Sequence, residues 1–191
     1  MRFSLNTIPN IMTISRLVLI PFVCYFIIAG MENDSDLDLL IADLLFSIGA
    51  ITDFLDGYLA RQLKIESNFG KCFDNIADKM LNVAIICILL SCHKIWLIPG
   101  LVVILREVFM SAMREYAAMN KREISIEMSG KIKTTLQFLA IIMIVLPRDV
   151  FLSNWIENYF GDLMYCGNVL FLISTILTVY TGIKYTYTYF K

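Results

Sequence analysis

The chain has 191 residues, 58% of them hydrophobic and 17% charged, with a mean hydropathy of +0.70. Ordinary soluble domains carry about 25% charged residues, and so short a chain cannot hide this much apolar surface in a core of its own. The net charge of −1 says little by itself, no nucleic-acid partner is expected, and a single histidine, His93, excludes histidine-ligated zinc and Ser-His-Asp chemistry.

In chain order the apolar residues form six segments at 8–29, 39–60, 72–92, 95–113, 131–147 and 163–183. The last has no charged residue and the length of a membrane span of roughly 20 residues. The sequence therefore predicts an all-α, polytopic membrane protein of six transmembrane helices, a single integral membrane catalytic domain over 1–191. Pro9, Arg16 and the lack of a small-residue cleavage site argue for a retained first helix over a signal peptide. No internal repeat or low-complexity segment is present.

Charge alternates along the connections. The N-terminal segment has Arg2 and Arg16, whereas 30–38 has Glu32, Asp34, Asp36 and Asp38 and no basic residue. Arg61, Lys64 and Lys71 follow at 61–71, then Lys94 alone at 91–95. Arg114, Lys121, Arg122, Lys131 and Lys133 lie at 114–133, Arg148 alone at 147–162, and Lys184 and Lys191 in the tail. Basic loops mark the cytoplasmic side, so both termini and the basic connections are expected in the cytoplasm. Trp96, Trp155, Tyr159 and Tyr165 fall near the outer ends, as an interfacial aromatic belt requires. The five cysteines, Cys24, Cys72, Cys87, Cys92 and Cys166, form no CxxC pair and read as buried packing residues.

Between 53 and 78 the apolar pattern gives way to carboxylates, which are costly in a bilayer. Asp53, Asp56, Gly57, Ala60 and Arg61 share one face of the second helix, and Gly70, Asp74, Asp78 and Asn82 one face of the third. A short connection makes these helices antiparallel neighbours, with the two acidic stripes facing each other just below the cytoplasmic surface. Four clustered carboxylates repel one another unless cations relieve them. Mg²⁺ takes carboxylates together with substrate phosphates, and paired metals roughly 3.5–4 Å apart can clamp both oxygens of a phosphoryl transfer. Gly57 and Ala60 leave room against the backbone, and Arg61 can neutralise a phosphate oxygen. The bland alternative pairs the aspartates with Lys64, Lys71, Lys79 and Arg106, leaving Gly and Ala to helix packing; four aspartates in phase with Gly, Ala and Arg favour the site.

The segment fits D-x2-D-G-x2-A-R-x8-G-x3-D-x3-D at every position, a pattern fixing eight residues over 26 positions. In this it resembles the CDP-alcohol phosphotransferases. The resemblance implies a six-helix membrane enzyme, a homodimer, that transfers a phosphatidyl or similar group from a CDP-linked donor to an alcohol and releases CMP. It further implies Asp53, Asp56, Asp74 and Asp78 as ligands of two Mg²⁺ or Mn²⁺ ions, with Asp78 also the general base. Gly57, Ala60 and Arg61 would lie against the CDP of CDP-diacylglycerol, with Ser67, Asn10 and Thr13 beside it. For Asn10 and Thr13, capping of the first helix is the competing role.

The outer motifs resemble the bacterial branch of that family whose acceptor is sn-glycerol 3-phosphate. They run from Asn6-Thr7-Ile8-Pro9-Asn10, Thr13 and Arg16 through Arg106-Glu107 and Arg114-Glu115 to Gly130-Lys131-Ile132-Lys133-Thr134-Thr135 and Gln137. Arg106, Arg114, Lys131 and Lys133 are then expected around the acceptor's phosphate. Each has an alternative: Glu107 as a purely structural partner for Arg106, cytoplasmic solvation for Arg114, and ordinary positive-inside placement for the two lysines. The expected products are phosphatidylglycerol phosphate and CMP, made at the cytoplasmic face of a bacterial inner membrane. Rival readings are another alcohol acceptor (inositol phosphate, serine or phosphatidylglycerol) and a small cation carrier using intramembrane carboxylates.

Overall fold

The computed structural model describes residues 8–63, 68–120, 128–147 and 161–190; the side chains at 8–14, 16, 53–63, 68–78, 118, 128–131 and 190 lie outside the described set. Six helices fill those residues: α1 (Ile8–Glu32), α2 (Asp36–Leu63), α3 (Asn68–Ser91), α4 (Leu97–Met119), α5 (Met128–Val145) and α6 (Leu163–Phe190). No strand occurs among the described residues. Each apolar segment of the sequence coincides with one helix. Most helices overrun their segments, because polar residues continue the backbone ladder beyond the apolar boundary. Among the described residues one helical run, Leu163–Tyr189, is long and apolar enough by itself to cross a membrane, at a mean hydropathy of 1.7. Leu17–Glu32, Lys79–Ser91 and Ile132–Val145 are shorter apolar runs.

The helix ends are closed by identifiable caps. At the end of α1 the Ser35 amide donates to Gly30 O at 3.1 Å, with Asp34 between them at φ 48°. At the end of α3 the Lys94 amide donates to Leu89 O at 2.9 Å and the His93 amide to Leu90 O at 3.1 Å, with His93 at φ 55°. Both are Schellman-type closures whose left-handed residue is usually glycine; here Asp and His fill it. Ser35 Oγ accepts from the Asp38 amide at 3.4 Å and Asp162 Oδ1 from the Met164 amide at 3.0 Å, capping the starts of α2 and α6.

α1, α2 and α3 up to Ile88 form one compact unit; the last turn of α3, α5 up to Ile144, and α4 and α6 belong to a second. In the first, α1 packs along α2 so closely that a Cβ on Gly30 would stand 2.7 Å from Leu39 Cγ. Its core is Val23, Ile27, Ala42, Phe46, Leu81, Ile85 and Ile86. On α3, Leu81 Cδ2 lies 3.7 Å from the Cβ position of Gly49.

In the second unit α4 and α6 run side by side in the same direction. Trp96 stacks edge-on against Tyr165 at 6.0 Å, Arg106 and Met110 lie against Gly182, and Tyr116 meets Tyr189 at 5.9 Å. Asn168, 3% exposed, ties the chain before α4 onto α6. Its Oδ1 accepts from the Trp96 amide at 3.0 Å, and its Nδ2 donates to Lys94 O at 2.9 Å and Met164 O at 3.0 Å. The last turns of α5 meet the first turn of α6, where a Cβ on Gly167 would stand 2.7 Å from Ile144 Cγ1 and 3.2 Å from Ala140 O.

Exposed side chains on these helices are largely apolar and recur at helical spacing: Val18, Phe22 and Tyr25 on α1, Leu44, Ile48 and Ile51 on α2, Ile98, Leu101 and Leu105 on α4, and Ile173, Ile176, Tyr180 and Ile183 on α6. Of the described cysteines, Cys24, Cys92 and Cys166 are half-buried and Cys87 is exposed; none of the four is in a disulfide. The expectation of burial thus holds only in part, because Cys87 falls on an outward-facing position of an apolar helix.

Candidate functional site

Backbone position puts Asp53, Asp56, Gly57, Ala60 and Arg61 in the last turns of α2, and Asp74 and Asp78 in the first half of α3. Their side chains lie outside the described residues, as do those of Asn10, Thr13 and Lys131; Ser67 is outside entirely. Among the described residues no group of three His, Cys, Asp or Glu side chains converges as a metal site would require.

Next to the acidic segments the first unit holds two polar atoms that the sequence did not single out as site members. Asn82 follows Asp78 by one turn on α3, and its Oδ1 is buried without a hydrogen-bond partner. Asp43 on α2 is 5% exposed and its Oδ1 also has none. Asp43 precedes the motif by ten residues, and nothing in the motif's spacing points to it.

The second unit holds the described part of the basic set. Arg106 Nη1 donates to Glu107 Oε1 at 2.8 Å, and Lys133 Nζ donates to the same oxygen at 3.2 Å. All three side chains are largely withdrawn from solvent. Arg114 lies within electrostatic reach of Arg106 and of Lys133, and Tyr185 within reach of Arg106. The structure therefore brings Arg106, Lys133 and Arg114 into one neighbourhood around Glu107.

Buried cations of this kind need partners, and Glu107 supplies one to each. It does not use up their donors: Arg106 Nε is buried with no partner. Gln137, one turn beyond Lys133 on α5, is 3% exposed with its Nε2 unpartnered, and Thr178 on α6 is fully buried with its Oγ1 unpartnered. Sequence reasoning left Gln137 and Thr178 out of the site. The available signals were the four-residue step from Lys133 to Gln137 and a hydroxyl set inside the most apolar segment.

Chemically, the second unit can receive an anion. A guanidinium and an ammonium held side by side match the oxygens of a phosphate. Ser174, Thr175 and Thr181 on α6 are also buried, but their hydroxyls donate to backbone carbonyls of their own helix, at 2.7 Å, 2.8 Å and 3.0 Å, and so are already satisfied.

Comparison with known proteins agrees with the pattern at 53–78. The family model described as CDP-alcohol phosphatidyltransferase matches residues 6–180. A protein of Rickettsia felis named CDP-diacylglycerol–glycerol-3-phosphate 3-phosphatidyltransferase is 36% identical over 191 residues, covering 100% of this chain and 97% of its own. Proteins of the same name from Haemophilus influenzae and Salmonella typhimurium are each 34% identical, over 182 and 186 residues, with 90% and 92% of their own lengths covered. A family match over nearly all of the chain and relatives aligned almost end to end lead to one conclusion: this all-helical chain belongs to the CDP-alcohol phosphatidyltransferase family.

Proposed function

We propose that the chain transfers the phosphatidyl group from CDP-diacylglycerol to sn-glycerol 3-phosphate, giving phosphatidylglycerol phosphate and CMP. The observation that carries this is the unbroken D-x2-D-G-x2-A-R-x8-G-x3-D-x3-D pattern in a chain aligned end to end with relatives bearing that enzyme name. The enzyme acts as a homodimer of six-span subunits in the bacterial inner membrane, with its site and both termini toward the cytoplasm. The exposed apolar stripes of α1, α2, α4 and α6 support membrane insertion.

The family generally uses divalent metal ions. The residues present fit such ions. The buried face of α2 at Ala42, Phe46 and Gly49 steps by helical period to positions 53, 56 and 60. The face of α3 carrying Asn82, Ile85 and Leu89 steps back to 78 and 74. Continued antiparallel from the meeting of Gly49 with Leu81, the two helices would bring 53 level with 77 and 56 level with 74. Asn82 Oδ1, buried and unpartnered, extends the oxygen-rich face by one more turn. Asp53, Asp56, Asp74 and Asp78 would hold two Mg²⁺ or Mn²⁺ ions, which supply charge neutralisation for the donor's pyrophosphate.

Gly57 and Ala60 give the CDP moiety room against α2, Arg61 neutralises a phosphate oxygen, and Asn10, Thr13 and Ser67 contact the nucleotide. Arg106, Arg114, Lys131 and Lys133 hold the acceptor's phosphate. The primary hydroxyl of glycerol 3-phosphate gives its proton to Asp78. Its oxygen then bonds to the phosphorus that carries diacylglycerol, and the bond from that phosphorus to the CMP oxygen breaks, CMP leaving with the electron pair. An aspartate is a weak base for an alcohol, so orientation of the two substrates supplies much of the acceleration.

The test is CMP release by purified protein with CDP-diacylglycerol and Mg²⁺ over a panel of acceptors. sn-Glycerol 3-phosphate is expected to be used best, ahead of inositol phosphate, serine and phosphatidylglycerol. Asp78→Asn should lower turnover by about 10²–10⁴-fold. A preference for another alcohol, or near-normal turnover in Asp78→Asn, would refute the acceptor or the base respectively.

A further inference from the structure

Arg106, Glu107 and Lys133 all belong to the second unit, so their mutual placement is internal to it. One atom, Glu107 Oε1, accepts from Arg106 Nη1 at 2.8 Å and from Lys133 Nζ at 3.2 Å. The two cationic nitrogens therefore stand no more than about 6 Å apart, the limit set by two bonds to one oxygen. Consecutive side chains of a helix do not face each other, so helical geometry alone does not bring Arg106 and Glu107 together. Arg106 also lies against α6, where the Cβ position of Gly182 is 3.6 Å from its Nε and 3.8 Å from its Cγ. The Nε itself is buried with no hydrogen-bond partner.

Stability does not account for this cluster. Apolar residues of similar volume often replace a buried ion triad at no loss, and this one leaves a guanidinium N–H unpaired. Contact with an anionic acceptor does not account for Glu107 either, since a carboxylate repels a phosphate. What the shared oxygen accomplishes is geometric: it ties a cation on α4 to a cation on α5. Long side chains lose entropy when a ligand orders them; here they are ordered before the ligand arrives. The oxygens of one phosphate, bonding N–H donors at about 2.7–2.9 Å, can bridge nitrogens this far apart.

We infer that Glu107 is a positioning residue, which holds Arg106 and Lys133 at a spacing suited to the acceptor's phosphate and thereby sets the affinity for that acceptor. This rests on the transferase reading above, in which those two cations hold the phosphate of glycerol 3-phosphate. Glu107 acts through them and does not touch the phosphate.

Charge and geometry predict opposite signs for its removal. Taking a carboxylate away from a phosphate site strengthens the field on an anion and lowers the acceptor KM. Releasing the two cations from their shared oxygen raises it. Glu107→Gln keeps the shape and removes the charge, and its neutral oxygen holds two cations less firmly.

The experiment measures kcat and KM for sn-glycerol 3-phosphate at saturating CDP-diacylglycerol and Mg²⁺, and KM for CDP-diacylglycerol at saturating acceptor. In Glu107→Gln the acceptor KM should rise about tenfold, the loss of one charge-assisted hydrogen bond. Over the same comparison kcat should stay within about threefold and the donor KM within about twofold. A purely structural role predicts less folded protein with both KM values unchanged. Glu107→Asp keeps the charge but draws the oxygen back by one methylene, so its acceptor KM should rise severalfold. It carries the test where Glu107→Gln does not accumulate in the membrane. An acceptor KM that falls or stays the same, or a donor KM that rises as much, would overturn the inference and leave the transferase reading standing. No CMP release by the wild type with glycerol 3-phosphate would overturn the transferase reading, and the inference with it.

Discussion

One oxygen of Glu107 accepts from two buried cations on different helices. The sequence offered two roles for Arg106, a structural pair with Glu107 or a hold on the acceptor. The guanidinium serves the first with Nη1, while its Nε is buried without a hydrogen-bond partner. Lys133, 7% exposed, is too buried for the solvated positive-inside role. Asp43 is the opposite case: a buried carboxyl oxygen without a partner, outside the motif. An unpaired buried carboxylate is a net cost. Asp43→Asn, which removes the charge with little change of volume, should therefore raise the detergent melting temperature, by about 1 kcal/mol of stability. CMP release should remain above half of wild type; a loss of turnover at unchanged stability would instead assign Asp43 to the reaction. Its role was not legible in the sequence, because burial and the absence of a partner are properties of packing.

At the scale of the elements, apolar period located the helices, and the pattern from Asp53 to Asp78 located the acidic stripes on α2 and α3. The closures between them were less legible. His93 read as a residue of an outer turn; its left-handed backbone, closing α3, depends on bonds to Leu89 and Leu90 that no composition rule requires. Asn168 was silent in the sequence because its partners, Lys94 and Trp96, lie more than seventy residues away. Yet it satisfies three backbone groups. Replacing it by Leu strands the Trp96 amide and the Lys94 carbonyl and should cost about 2–4 kcal/mol. The expected sign is a lower melting temperature in detergent with the KM for CDP-diacylglycerol unaffected. An unchanged melting temperature would show that other groups or water take over those bonds.

For the whole molecule, composition predicted a protein of the bilayer. The structure adds where the apolar surface lies. On α6, Ile173, Ile176, Tyr180 and Ile183 form an exposed stripe, while Ser174, Thr178 and Thr181 are buried on the other side. This polar-in, apolar-out order inverts that of a soluble helix. A charge in the middle of the stripe should oppose insertion by about 2.5–3.5 kcal/mol. Ile176→Arg is therefore expected to lower the amount of protein in the alkali-resistant membrane fraction, whereas Ile176→Leu should not. Equal amounts of both would argue that the stripe meets something other than lipid. The unpartnered hydroxyl of Thr178 escaped sequence reasoning for a related reason. A hydroxyl inside an apolar run can always bond to its own helix, as Ser174, Thr175 and Thr181 do, and only the folded chain distinguishes the one that does not.

The α4–α6 pair is pinned near both ends, by Asn168 with Trp96 at one and by Tyr116 against Tyr189 at the other. Mechanically it is a single beam, with Arg106 seated between the pins against Gly182. A pair tethered at both ends tilts as one body and does not shear, so a load along either helix leaves the spacing between Arg106 and α6 unchanged.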